Sequence, residues 1–205
     1  MISETLSSSV VVEQLLEERT SIGSKNSGTD AIAYFYFDFG GGGKQPMEHA
    51  LRRLVLQLSA QCPIPYDRLS KYHDLYKGQK VPTPGELFEL LEKLLKDLGR
   101  TYLVLDALDE CRTEDHDLIV GFVRTILGWS GVCLHVLVTS QPRSIFADGF
   151  TSLQKFYRIT MQEDMISHDI KLFVSNELSS RSTLAFWKSK SEKIISHIVK
   201  KSAGM

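Results

Sequence analysis

Cysteine, net charge and long apolar runs are all in short supply in this chain, and each shortage excludes something. Cys62, Cys111 and Cys133 are odd in number, with no C-x-x-C pair and no Cys/His ligand spacing. That pattern argues against a disulfide frame and a structural zinc site, and it predicts reduced, partly buried thiols in a cytoplasmic protein. No apolar run approaches the roughly 18 residues of a membrane span, and no basic stretch followed by an apolar run opens the sequence. Membrane insertion and secretion are therefore not indicated. Lys and Arg number 24 against 25 Asp and Glu, a net charge of -1, which removes the electrostatic reason to expect nucleic acid or a membrane surface as partner. Internal repeats at periods of about 20 to 50 residues are absent as well, so a solenoid or propeller is not expected.

The 205 residues that are present, 42% hydrophobic and 24% charged, suit one substantial α/β core. They are organised around residues 100–111. Tyr102, Leu103, Val104 and Leu105 form an uninterrupted apolar run that stops at Asp106, with Asp109 and Glu110 close behind. A strand buried on both faces reads this way, and its carboxyl end delivers acids to the edge of a parallel sheet. Mg²⁺ favours one or two carboxylates completed by water and substrate phosphates, so the pattern is that of a Walker B segment. The competing reading is that Asp106, Asp109 and Glu110 only solvate a strand exit; the full Asp-x-x-Asp-Glu arrangement weighs against it.

Around this centre the chain alternates in type. Leu6, Val10, Val11 and Leu15 predict a first helix over about 5–19, followed by a polar loop over 20–30 and an aromatic strand over 31–39. Gly40, Gly41, Gly42, Gly43 and Lys44 invite a phosphate-loop reading, but G-x-x-x-x-G-K-[ST] would put Asp38 at its first glycine and Gln45 at its hydroxyl. A loop is the better reading. Met47, Leu51, Leu54, Val55 and Leu58 mark a helix that packs on the sheet and is broken by Pro63 and Pro65, and Leu69, Tyr72 and Tyr76 suggest a short helix. Thr83, Pro84 and Glu86 then form a capping box that opens the leucine ladder from Leu87 to Leu98, with Gly99 as its stop. Thr113 is the expected cap of a helix closed by Gly128. A further buried strand over 133–139 carries His135 as a satisfied core histidine, and a last strand is expected over 155–160. Paired helices follow, one with Ile166, Ile170, Phe173, Val174 and Leu178, the other with Trp187, Ile194, Ile195, Ile198 and Val199. Lys188, Lys190, Lys193, Lys200 and Lys201 read as a solvated face.

Three segments in this order, residues 34–39 (Tyr-Phe-Tyr-Phe-Asp-Phe), 103–111 (Leu-Val-Leu-Asp-Ala-Leu-Asp-Glu-Cys) and 137–142 (Leu-Val-Thr-Ser-Gln-Pro), closely resemble the NACHT domains of fungal NOD-like receptors, including the related domain named for the nephrocystin N-terminal region. The resemblance covers about residues 6–205. It implies a STAND-type P-loop NTPase module: a three-layer α/β fold whose parallel sheet is flanked by helices, with a nucleotide-binding core over 1–161 and the start of a helical extension over 162–205. By position it implies that Asp106 holds Mg²⁺, that Asp109 and Glu110 orient or activate the attacking water, and that Thr139, Ser140, Gln141 and Pro142 are the sensor segment, with Arg143 within reach. The implied cofactors are Mg²⁺ with ATP or GTP, and the implied partners are that nucleotide and further copies through NACHT surfaces.

Two departures qualify the resemblance. Ile2, Ser3 and Glu4 stand where the family has the Gly-Lys-Thr of Walker A, so the lysine charge and the glycine-rich cradle are missing, and Glu4 puts a carboxylate where phosphate belongs. The strand that precedes Walker A in the family is not in this sequence, so the chain reads as a truncated member whose sheet lacks that strand. Gln141 also replaces an arginine. The expected function is therefore a Mg-nucleotide switch of a signalling or innate-immunity-like protein, impaired as it stands. A degenerate interaction module without nucleotide is the alternative, and an unrelated hydrolase lacks any accompanying nucleophile and histidine.

Overall fold

The apolar run that ends in Asp106 becomes the middle strand of a three-stranded parallel sheet. A computed structural model describes residues 2–22, 30–38, 46–153, 155–160 and 163–202. Strands β1 (Ala31–Tyr36), β2 (Arg100–Asp106) and β3 (Cys133–Val138) lie in the order β1-β2-β3, with Ile32 opposite Tyr102 and Tyr102 opposite His135. Helices α2 (Pro46–Ala60), α3 (Asp67–Tyr76) and α4 (Pro84–Asp97) intervene between β1 and β2, and α5 (His116–Gly128) lies between β2 and β3. Parallel neighbours need such crossovers, which fixes the α/β class. Helix α1 (Ile2–Ile22) precedes the sheet and α6 (Ser144–Thr151) follows it.

One sheet face carries the main core. Ala31, Ala33, Leu103 and Leu105 pack with Leu51, Leu54 and Leu58 of α2, Leu87, Leu91 and Leu94 of α4, and Ile119, Val123 and Ile126 of α5. Helix α4 presents five buried leucines at helical spacing because Thr83 starts it where the ladder begins: Thr83 Oγ1 accepts from the Glu86 amide and Glu86 returns a bond to the Thr83 amide. The opposite face carries Ile32, Val104 and Asp106, all buried, and there α1 buries Ser8 and Val12.

The chain divides into two compact units, Glu4–Phe156 and Tyr157–Met205 with Met1–Ser3. The second contains α7 (Glu163–Ser180), a 3-10 segment (Ser182–Lys190) and α8 (Ser191–Ser202). Leu178 is buried in it, and Arg181 pairs with Glu177 one turn earlier at 2.5 Å.

Several expectations need correction. No strand forms over 155–160; Tyr157 and Ile159 are 84% and 89% exposed there. β-propensity favours an extended chain, but a strand also needs a neighbour for its backbone groups. Strand β3 is not buried on both faces: Leu134, Val136 and Val138 pack on the core while Cys133, His135 and Leu137 alternate outward. His135 is consequently an exposed ring stacked on Tyr102, 5.1 Å between centroids, and Cys133 is an exposed thiol. Thr113 caps no helix; it opens a 3-10 turn (Thr113–Asp115), and α5 begins at His116. Trp187 lies in the 3-10 segment rather than in a second helix. The glycine run 40–43, Lys44, Phe39 and the loop residues 23–29 lie outside the described residues.

Candidate functional site

The carboxyl end of β2 places Asp106 under the sheet's second face, 1% exposed. Its Oδ1 accepts from two hydroxyls: Ser8 Oγ, which reaches in from α1, and Thr139 Oγ1 at 2.6 Å, which follows β3. Thr139 fastens the two strand ends together. Its amide donates to the Leu105 carbonyl and its carbonyl accepts from the Leu108 amide, both at 3.0 Å, and its hydroxyl accepts from the Ala107 amide at 2.9 Å. A residue that uses every backbone and side-chain group in this way holds its partner acid in one orientation.

Ala107 turns the chain sharply behind Asp106. Its φ of 58° and ψ of 51° are left-handed, a region where a Cβ costs about 1 to 2 kcal/mol. The bond to Thr139 and the Glu110 amide's bond to the Ala107 carbonyl, 3.0 Å, hold it there. The turn leads into a short 3-10 helix (Leu108–Glu110) anchored by fully buried Leu108. That helix sets Asp109, 6% exposed, so that its Oδ1 accepts from the Gln141 amide at 2.9 Å, while Glu110 is half-buried.

Asp106, Asp109, Thr139 and the Gln141 backbone thus belong to one hydrogen-bonded assembly at the sheet edge. Ser140 sits within it, its hydroxyl donating to the Gln141 carbonyl at 2.8 Å. Arg143 is exposed at the start of α6 and joins no ion pair among the described residues. Neither Asp106 nor Asp109 joins one either. The donor set is entirely hard oxygen, which suits a cation such as Mg²⁺ and not a thiophilic metal. Among the described residues no group of three or more His, Cys, Asp or Glu could form a protein-only cage, so an ion here would need ligands from elsewhere. Cys111 offers no nucleophile: burial first, then the nearby Asp115, Asp109 and Glu110, push its thiol up to about 12.

Ser8 is the member that reading the sequence missed. It lies four and seven residues before Val12 and Leu15 and shares their helix face, so a small polar residue on a packed stripe was the available signal.

A family model described as nephrocystin 3, N-terminal, matches residues 4–141, more than half of the chain. The chain belongs to that family. The matched stretch runs from α1 through β3 to Gln141 and so contains Ser8, Asp106, Asp109 and Thr139. No curated protein matches the chain, and no solved structure does. No helix among the described residues is long and apolar enough to cross a membrane.

Proposed function

We propose that this nephrocystin-type domain is part of a NACHT, STAND-type nucleotide switch whose metal-binding acid is Asp106. The observation that carries the reading is a carboxylate buried at the end of the central parallel strand, oriented by two hydroxyls and paired with no cation among the described residues. Burying a carboxylate without a counter-charge is costly, and a divalent ion brought in with a nucleoside triphosphate would supply one. Asp106 would hold Mg²⁺, Asp109 and Glu110 would stand where an attacking water is oriented, and the 139–142 segment would lie against the phosphates. When bound, the metal would neutralise phosphate charge; the chain's own part is to keep Asp106 pointed into the site through Ser8 and Thr139.

Ile2, Ser3 and Glu4 provide neither a lysine nor glycines at the start of α1, which supports weak nucleotide binding and negligible hydrolysis. The same observation favours a second reading, an interaction module that keeps the fold without the nucleotide. Calorimetric titration with Mg-ATP and Mg-GTP separates them. Saturable binding that requires Mg²⁺ and is lost in Asp106→Asn supports the switch; no heat with either nucleotide supports the interaction module.

A further inference from the structure

The outer edge of β1 is closed by side chains. In a parallel ladder alternate residues turn both backbone groups to the same side; the Phe37 amide bonds the Asp106 carbonyl of β2, so the backbone groups of Ile32 and Tyr34 point away from β2. Gln57 of α2 and Gln61, the residue just past its end, meet them. Gln61 Oε1 accepts from the Ile32 amide at 3.0 Å and Gln61 Nε2 donates to the Ile32 carbonyl at 2.7 Å. Gln57 repeats the pattern on Tyr34, accepting from its amide at 2.9 Å and donating to its carbonyl at 3.0 Å.

The match is geometric. Four helical residues rise about 6 Å and two strand residues about 6.6 Å, so amides at i and i+4 on a helix running against a strand reach alternate residues of it. Each side-chain amide carries the same donor and acceptor as a peptide, and Gln61 Nε2 is further fixed by donating to the Gln57 carbonyl at 2.9 Å. An unpaired strand edge otherwise offers a template to any extended segment.

We infer that Gln57 and Gln61 form a surrogate strand that seals the β1 edge against pairing with an extended segment of a second copy of this chain. Residue-resolved amide exchange on the full chain tests it. In Gln61→Ala the Ile32 amide should exchange about five- to tenfold faster with Tyr34 unchanged, and Gln57→Ala should give the reverse, as expected for losing one hydrogen bond at each. The double alanine variant should self-associate with rising concentration in light scattering. The Gln57→Glu, Gln61→Glu variant, which keeps the acceptors and adds repelling charge, should associate no more than the unaltered chain. Unchanged exchange at both amides in the single variants, a double alanine variant that associates no more than the unaltered chain, or equal association of the alanine and glutamate variants would overturn the inference.

Discussion

Glu86 and Asp106 are carboxylates of equal intrinsic chemistry held in opposite ways. Glu86 sits at the surface and is gripped by a cation, Lys80 at 2.5 Å, and by both the amide and the hydroxyl of Thr83. Those contacts, Lys80 first, lower its carboxyl from an ordinary 4.5 to about 2. Asp97 is similar, lowered by its bond to Arg68. Asp106 is buried, is bonded to neutral hydroxyls, and has no ion-pair partner among the described residues. The difference teaches that the acids which fasten helices already own their cations, whereas the acid at the end of the central strand is positioned without one.

Breaking the buried side should cost most. Asp106→Ala leaves the hydroxyls of Ser8 and Thr139 without their acceptor, a loss that outweighs relief of the buried charge, and should lower unfolding free energy by about 3 kcal/mol, read by urea denaturation. Thr139→Val comes next at about 2 kcal/mol, because it strips the Ala107 amide of its acceptor behind a left-handed turn; the same denaturation series measures it. On the surface side, Thr83→Ala removes the α4 cap and should cost about 1 kcal/mol, with helix loss by circular dichroism. The smallest effect is the pH dependence of the Glu86 clamp. Its depressed carboxyl contributes stability that is complete above 4.5 and is lost as pH falls from there towards about 2. Lys80→Ala should flatten that part of a stability-against-pH curve.

The elements that local chemistry determines were legible beforehand. The capping box at Thr83 and Glu86, the leucine ladder of α4 and the strand ending at Asp106 are each written within about ten neighbouring residues, so periodicity and capping rules reach them. What escaped depends on distant partners. Ser8 and Asp106 are 98 residues apart and the Gln57 and Gln61 bonds span 23 and 29, distances at which one sequence gives no pairing signal. His135 and the 155–160 segment failed for a related reason: an apolar run reveals β-propensity, but not which face is covered or whether a partner strand lies alongside.

The central claim, that Asp106 is poised for a metal-bound nucleotide while the surface acids are fasteners, is tested most directly by titrating Mg²⁺ at fixed ATP into three proteins by calorimetry. The account predicts weak, Mg²⁺-dependent binding in the unaltered chain, the same binding in Glu86→Gln, and none in folded Asp106→Asn. Binding that survives in Asp106→Asn, or no Mg²⁺-dependent binding in the unaltered chain, would contradict it.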